Sequence, residues 1–298
     1  MVVLVPPVVP MLAQAAESMP GPATLRGGLA FEQKFDGHRA ILFTPSRPGG
    51  PVLLQTRRGA LIQDRFPDLI AAADQLPAGL VLDGELLVWD TVAERLSFEG
   101  LQRRAASRRT AADLAVSLPA FFVVFDVLQQ DGREVMDLPY PERRRRIETL
   151  FAARGLTALW TLCPMTTDPG KAREWLETWT DVSGVEGLVV KGMETRYLPG
   201  FRGWTKVHRR DSTEAVVGAV TGTLTRPQVL ILGRLDADGR LHPVGRTVPL
   251  RPEQPRQVSE HLVAAEAGTR RKGCGSPRRG AAVTSSTRCW CGPSRSRR

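Results

Sequence analysis

The stretch Phe31-Glu32-Gln33-Lys34-Phe35-Asp36-Gly37-His38-Arg39 places a lysine, a carboxylate, a glycine turn and an arginine between two apolar runs. Lys34 is a candidate nucleophile, because a lysine amine attacks only when neutral and so needs a site that removes water or supplies other cations. Arg39 could supply that field or clamp a phosphate, and Gly37 lets the backbone turn so that both side chains reach one ligand. The alternative is an exposed lysine beside a hairpin turn, and this short string alone leaves both interpretations open.

The length and composition indicate a globular protein. With 298 residues, 42% of them apolar, the chain can form one large domain and a smaller one. Residues 1–10 are apolar but hold three prolines and no basic stretch, which fits neither a signal peptide nor a membrane span. We therefore expect a cytoplasmic protein that does not enter a membrane.

The formal charge of +10 is concentrated at the end of the chain. Nine of the 41 basic residues lie in 270–298 and no acid does, so the first 269 residues carry 32 bases against 31 acids. The overall charge is therefore poor evidence for nucleic-acid binding, which must rest on local sites. Three of the four cysteines also lie in this tail, and their spacing predicts neither a structural zinc site nor a disulfide framework.

Apolar and β-branched runs separated by turn residues predict strands along most of the chain. They lie at 29–31, 39–44, 52–56, 80–89, 119–128, 185–190 and 203–207, and residues 11–29 indicate a loop with a short helix. Lys34 then lies in the connection between two strands. Glu85 instead lies inside a sheet, because apolar residues flank Asp83-Gly84-Glu85 on both sides, and a buried carboxylate must be paired or ligated.

Helical spacing of apolar residues predicts helices at 66–76, 141–154 and 171–180. The second of these begins with Pro141, which suits the first turn of a helix. Its run Arg143–Arg146 favours a solvated face over a DNA contact.

A boundary near Asp211 precedes a second domain. Strands at 214–221, 229–235 and 240–247 form a meander, and a helix at 253–265 follows. An oligonucleotide/oligosaccharide-binding (OB) barrel begins in this way and needs two more strands after its helix. Residues 269–298 are mostly Arg, Lys, Gly, Ser, Pro and Cys, and they predict a disordered basic tail with no run of apolar residues to form those strands.

Five short elements occur in order along the chain: Lys34-Phe35-Asp36-Gly37-His38-Arg39, Asp83-Gly84-Glu85, Phe125-Asp126, Glu186-Gly187-Leu188-Val189-Val190-Lys191 and Trp204-Thr205-Lys206. Together they resemble the nucleotidyltransferase motifs of ATP-dependent DNA ligases, and Thr56-Arg57-Arg58-Gly59 adds an arginine that the family places between the first two. The resemblance covers roughly residues 10–266 and is greatest to the small accessory ligases of bacteria. It implies an α+β fold: a nucleotidyltransferase domain of ATP-grasp-like antiparallel sheets with helices at 1–210, then an incomplete OB-fold domain at 211–268 and the tail at 269–298.

The resemblance also implies a substrate and a reaction. The family uses ATP and Mg²⁺ or Mn²⁺ to seal 5′-phosphate/3′-hydroxyl nicks in duplex DNA during repair. The lysine forms a covalent lysyl-AMP, the AMP moves to the 5′-phosphate, and the 3′-hydroxyl then displaces it. We expect a monomer that acts on nicked DNA.

Each motif carries an implied role. Lys34 is the nucleophile, Glu186 is the main metal carboxylate, and Glu85 holds the ribose hydroxyls and can also contact the metal. The other nucleotide-binding residues are Glu32 for the adenine edge, Phe125 for a ring face, Arg39 and Arg57 for the sugar and the nick phosphate, and Lys191, Arg202 and Lys206 for phosphate. From the residues alone, Phe125 could equally belong to the core, and Lys191 and Lys206 could be solubilising charges at strand ends.

Two features depart from the family pattern. His208 stands where a second basic residue is common, and we interpret it as structural. No match exists to the last basic motif of the barrel domain, which orients the departing pyrophosphate, so we expect impaired self-adenylylation. The abrupt change in composition near Gly268 suggests a shifted reading frame, which the coding DNA would test.

Two other functions remain open at this stage. An RNA ligase or a capping guanylyltransferase shares the lysine motif and would differ in its choice of nucleotide or nick. An inactive relative that only binds DNA would be insensitive to the replacement of Lys34, and its binding would depend steeply on salt.

Overall fold

A computed structural model of the chain describes residues 3–21, 24–25, 27–47, 49–157, 159–178, 184–208, 214–264 and 281–282. The chain forms two compact units, Met1–Arg209 and Arg210–Arg298. Within the described ranges, every helix falls short of the length and apolarity that crossing a bilayer requires.

The first unit is built on two sheets whose strands are mostly antiparallel. The smaller sheet has the order β1-β12-β11-β2-β10, with β1 at Ala13–Ala16, β2 at Leu29–Phe35, β10 at Met165–Thr166, β11 at Val185–Gly192 and β12 at Trp204–His208. The larger sheet has the order β4-β3-β5-β7-β8, with β3 at His38–Phe43, β4 at Leu53–Thr56, β5 at Val81–Asp90, β7 at Ala120–Gln130 and β8 at Arg133–Glu134. The short strands β6 (Arg95–Leu96) and β9 (Trp160–Leu162) pair with β5 and β7.

Among the described residues of the first unit, five α-helices cover the outer faces of these sheets. They are α1 at Pro67–Ala72, α2 at Phe98–Ala106, α3 at Ala111–Ser117, α4 at Tyr140–Arg154 and α5 at Pro169–Thr178. Residues of α1, α2 and α4 pack on one face of the larger sheet, and Ala172 and Trp175 of α5 pack on the smaller sheet. A separate cluster that includes Ile41, Phe43 and Trp204 lies on the opposite faces. Apolar clusters therefore cover both faces of the larger sheet, which explains the nearly continuous apolar runs of β3, β5 and β7.

The predicted strands and helices of this unit are found close to their expected bounds, with the exceptions described next. The structure also contains elements that the sequence did not predict, namely α2, α3, β6, β8, β9 and β10. Lys34 lies within β2 and not in a connection between strands. Ala13–Ala16, expected to be loop or helix, is a strand that pairs in parallel with β12. Its sequence Ala-Gln-Ala-Ala has no strand signal of its own. The segment is a strand because it pairs with the edge of β12. The predicted helix 66–76 is the shorter α1 flanked by two 3₁₀ turns.

The prediction of a solvated face for Arg143–Arg146 is wrong for its first two residues. Arg143 is fully buried, and its guanidinium bonds both oxygens of the buried Asp126. Arg144 is also buried and donates to Glu148 and to the carbonyl oxygen of Cys163. Arg145 is exposed, as expected. A run of like charges on a helix spans its whole circumference, so α4 must turn some of these side chains inward, where they require acidic partners.

The second unit contains the predicted meander. The strands β13 (Val216–Gly222), β14 (Pro227–Leu235) and β15 (Leu241–Arg246) are antiparallel neighbours, and α6 (Gln254–Ser259) is shorter than the predicted helix. A two-residue strand, β16 (Ala281–Ala282), pairs with β13, although no strand was expected in the tail. The predicted boundary at Asp211 and the rest of the tail, with Cys274, Cys289 and Cys291, lie outside the described residues.

Candidate active site

A cleft of about 980 Å³ lies in the first unit, with walls from both sheets. The alternation of side chains along each strand decides which residues face it. In β2, Leu29 and Phe31 pack toward α5, so Glu32 and Lys34 point the opposite way. In β11 the same rule sends Leu188 and Val190 outward and Lys191 into the cleft.

Nine of the residues predicted to bind nucleotide or react with it line this one cleft. They are Glu32, Lys34, Arg39, Arg57, Glu85, Phe125, Lys191, Arg202 and Lys206. These residues come from β2, β3, β5, β7, β11 and β12 and from two connecting segments. The fold therefore brings together side chains that lie up to 174 positions apart in the sequence.

Glu186, the tenth predicted residue, is in contact with the amine of Lys34. The Nζ atom of Lys34 donates to Oε2 of Glu186. Strand alternation alone would turn Glu186 away, but a bulge between Val185 and Gly187 changes the register of β11 against β2. Gly187 has a φ of 154°, and a Cβ there would lie 2.1 Å from the carbonyl oxygen of Val207, so only glycine fits. The bulge thus brings the carboxylate to the lysine.

Two further polar side chains contact Glu186. The Nδ1 atom of His208 lies 3.5 Å from the same oxygen that Lys34 binds, so His208 adjoins the Lys34–Glu186 pair. Asp36 forms a hydrogen bond with Glu186, and burial together with this bond raises the pKa of Asp36 to about 6. Burial opposes ionisation of Glu186, but the bond from Asp36 and the charge of Lys34 hold its pKa below the ordinary value. Asp36 therefore holds the shared proton and donates to Glu186 below a pH of about 6. The sequence placed Asp36 inside the lysine motif without a role.

Glu85 lies deeper in the cleft. Burial raises its pKa to about 8, and the nearby charges of Lys34 and Arg39 only partly oppose this shift. A Cβ on Gly37 would lie 2.8 Å from Cγ of Glu85 and 2.4 Å from the carbonyl oxygen of Leu86. Gly37 therefore lets the turn after Lys34 approach β5 closely, which places Glu85 near the lysine.

We expect Glu85→Gln to stabilise the protein at high pH only. The folded-state pKa of Glu85 is raised from 4.5 to about 8, so folding favours the protonated form and stability falls as pH rises through this interval. Glutamine cannot ionise and avoids that loss. We predict equal melting temperatures for the two proteins at pH 4.5 and a melting temperature roughly 3 °C or more higher for the variant at pH 8.5. Thermal unfolding followed by circular dichroism is the measurement, and an equal difference at both pH values would contradict the assignment.

Arg39 is fixed by a buried acid. Its guanidinium donates to both oxygens of Asp83, at 2.9 and 2.5 Å, and to the carbonyl oxygen of Met11. The hydroxyl of Tyr197 donates to the same carboxylate at 2.6 Å. Asp83 thus balances the charge of Arg39. The sequence suggested that the cation Arg39 would adjoin Lys34, but the group in contact with Lys34 is the carboxylate of Glu186.

The other end of the cleft is aromatic. Phe125 and Trp204 meet edge to face with their ring centroids 6.0 Å apart, and Arg39 stacks over both rings. The Nζ atom of Lys191 lies 2.7 Å from Oε2 of Glu32 and 2.9 Å from the carbonyl oxygen of Phe125. Lys191 is fully buried, so two of its three donors are already bound beside the rings. Its predicted role as a phosphate contact stays a prediction.

Cations surround the mouth of the cleft. Arg57 and Arg58 are exposed on the turn after β4, Arg202 donates to the carbonyl oxygen of Ala13, and Lys206 lies on β12. This arrangement suits an anionic ligand. Sequence reasoning assigned no role to Arg58 or Trp204, although both belong to motifs that it quoted.

The acidic groups near Lys34 suit a hard cation. Among the described residues there is no cluster of three or more side chains with metal-ligating geometry. Glu186, Asp36 and Glu85 nevertheless provide carboxylate oxygens beside the lysine. Mg²⁺ retains several waters and typically binds one or two carboxylates, so the residues present fit this ion.

The chain was compared with known proteins. A family described as "ATP dependent DNA ligase domain" matches residues 10–208. A probable DNA ligase of Streptomyces coelicolor is 37% identical over 251 residues, which are 81% of this chain and 48% of the relative. DNA ligase C2 of Mycolicibacterium smegmatis is 35% identical over 249 residues, which are 81% of this chain and 66% of the relative. This chain thus spans about half to two thirds of the length of these relatives.

A solved structure agrees with the sequence relatives. Mycobacterial DNA ligase D complexed with ATP and MES superposes with a TM-score of 0.54 and 26% identity over 94% of this chain and 86% of that one. The family match covers the cleft and the motifs that line it. By its sequence and by the fold that holds its site, the chain belongs to the ATP-dependent DNA ligase family.

Proposed function

We propose that the chain is an ATP-dependent DNA ligase that seals 5′-phosphate/3′-hydroxyl nicks through a lysyl-AMP intermediate. The observation that carries the proposal is the contact between Lys34 and Glu186 in a cleft with cations at its mouth and aromatic rings at its other end. The cleft volume of about 980 Å³ is in the range of sites that bind small molecules.

The proposed reaction has three balanced transfers. Lys34, once its amine has lost a proton, attacks the α-phosphorus of ATP, so that an N–P bond forms and the bond to pyrophosphate breaks. An oxygen of the 5′-phosphate at the nick then attacks the same phosphorus, the N–P bond breaks, and Lys34 regains a proton. Finally, the 3′-hydroxyl attacks the 5′-phosphorus, loses its proton and expels AMP.

Charge on the phosphate oxygens explains the residue types in the cleft. Lys206, Arg202 and Arg57 would neutralise phosphate oxygens, which is the main requirement of phosphoryl transfer. A divalent cation held by Glu186 and Glu85 would supply further positive charge and, by occupying the carboxylate that now binds Lys34, favour the neutral amine. Glu85 would also hold the ribose hydroxyls, Arg39 the sugar, and Phe125, Lys191 and Glu32 the base.

We propose the domain bounds 1–210, 211–268 and 269–298, with the meander β13–β15 and α6 as part of an OB fold.

An incomplete OB fold predicts a difference between two steps of the reaction. Without the basic motif that orients pyrophosphate, the protein should label itself slowly from ATP, yet it should seal a nick that already carries 5′-AMP at a rate closer to that of a relative with the motif. Single-turnover assays of both steps against such a relative are the measurement, and an equal loss in both steps would contradict this assignment.

The proposed function is tested with the intact protein, Mg²⁺ and radiolabelled nucleotide. We expect covalent label from α-labelled ATP, an AMP adduct by mass spectrometry and sealing of nicked duplex DNA. Label from GTP instead would favour a capping guanylyltransferase, and preferential sealing of RNA nicks would favour an RNA ligase. Salt-dependent binding of nicked DNA without any label would indicate an inactive relative that only binds DNA.

A further inference from the structure

Glu32 is held by donors from two neighbouring elements. Tyr140, the first residue of α4, donates its hydroxyl to Oε1 of Glu32 at 2.6 Å. Lys191 of β11 lies 2.7 Å from Oε2. Glu32 is only 2% exposed, and it lines the cleft beside Phe125. Each carboxylate oxygen thus has one fixed donor, and its remaining acceptor positions are available to a ligand in the cleft.

Tyr140 acts as the donor in this pair. Burial and the adjacent charge of Glu32 raise the pKa of Tyr140, so its hydroxyl stays protonated. Tyr140 itself does not line the cleft, so it reaches a ligand only through Glu32. Its ring packs against the ammonium of Lys191 at 5.0 Å and the guanidinium of Arg143 at 6.0 Å, and these contacts fix its position.

The guanidinium of Arg144 is a second possible donor to the Glu32 oxygen that Tyr140 binds. An Nη atom of Arg144 lies 3.8 Å from the same Oε1 atom, beyond hydrogen-bonding distance. Without the tyrosine hydroxyl, Oε1 would be free to turn toward this guanidinium, because a buried carboxylate oxygen requires a donor. The carboxylate would then lose the orientation that it has toward the cleft.

We propose that Tyr140 is a positioning residue for base recognition: it holds Glu32 as a hydrogen-bond acceptor for the exocyclic amine of a purine base. This inference rests on the proposed function, which places a purine nucleotide in the cleft. It adds a specificity-determining residue on α4, outside the motifs that carry the resemblance.

The test compares Tyr140→Phe with a matched variant on two nucleotides. Tyr197→Phe is the control, because Tyr197 also donates a hydroxyl to a buried carboxylate at 2.6 Å, but to Asp83 and not to Glu32. The nucleotides are ATP and purine riboside triphosphate, which lacks the 6-amino group. Their dissociation constants are measured by calorimetry, and KM and the maximal rate of self-labelling are measured for each protein.

We expect Tyr140→Phe to weaken ATP binding roughly tenfold, as loss of a fixed acceptor for the amine would do, and to change binding of purine riboside triphosphate by less than about twofold. The effect on self-labelling should appear in KM and leave the maximal rate nearly unchanged. Tyr197→Phe should affect both nucleotides by the same factor. The melting temperature of each variant confirms that it folds.

The outcomes separate this inference from the proposed function. An equal loss for both nucleotides in Tyr140→Phe, or no loss for either, would overturn the role of Tyr140. Failure of the unaltered protein to bind either nucleotide would overturn it as well. If Tyr140→Phe weakens the binding of ATP but not of purine riboside triphosphate, and the unaltered protein never becomes labelled, the role of Tyr140 stands and the ligase function fails.

Discussion

Replacing Lys34 by alanine should abolish covalent labelling by ATP and slow the sealing of a 5′-phosphate nick by about 10⁴-fold or more. The amine is the atom that bonds to phosphorus in the proposed reaction, and it is the group that donates to Glu186 in the cleft. Lys34→Arg should fail equally, because a guanidinium stays protonated at any accessible pH and offers no lone pair. Measurements of labelled protein and of sealed product determine both effects.

The substrate provides an internal control for this prediction. A nick that already carries 5′-AMP needs no lysyl-AMP, so Lys34→Ala should seal it far better than it seals a 5′-phosphate nick. Lys171→Ala is the matched variant, because Lys171 is exposed on α5 and stacks on Trp175 outside the cleft. It should be labelled like the unaltered protein. Undiminished labelling of Lys34→Ala would refute the proposed nucleophile.

Replacing Arg143 by alanine should produce the largest loss of stability. Arg143 is fully buried and donates to both oxygens of Asp126, at 2.7 and 3.1 Å, and to the carbonyl oxygens of Leu138 and Thr195. The charges of Arg143 and Lys191 hold the pKa of Asp126 below its ordinary value against the effect of burial. Removal of the arginine leaves a buried carboxylate without its main partner, which typically costs about 3–5 kcal/mol.

A neighbouring arginine on the same helix provides the matched control. Arg145 is exposed, so Arg145→Ala should change the free energy of unfolding by less than about 0.5 kcal/mol. For a domain of this size, the expected cost of Arg143→Ala corresponds to a melting temperature lower by roughly 6–20 °C. Urea and thermal unfolding of the two variants give the comparison. Similar stability of the two variants would show that the buried pair contributes little.

The local patterns of the sequence predicted much of the architecture. The apolar runs of β3, β5 and β7 mark buried strands because both faces of the larger sheet are covered. Pro141 and the apolar spacing of α4 marked that helix to within one residue at its start. The short lysine, glutamate and phenylalanine motifs predicted side chains that line one cleft, because strand alternation turns Lys34, Glu85 and Phe125 into it. Glu186 is the exception, since a bulge in β11 and not alternation brings it to Lys34.

Other features have no local signal. The strand β1 exists because the edge of β12 accepts it, and its own sequence gives no indication of a strand. The interior position of Arg143 depends on Asp126, seventeen residues earlier on another element. Tyr140 meets Glu32 across 108 positions of sequence.

The sequence by itself predicted side chains that line one cleft and the approximate bounds of many of the strands and helices that hold them, since both are encoded in neighbouring positions. Only the tertiary structure decided how these groups pair: that Lys34 meets an acid, that Lys191 is bound to Glu32, and that Arg143 is buried. The physical reason is that desolvation and ion pairing depend on distances between groups that lie far apart in the chain, and no local spacing specifies those distances.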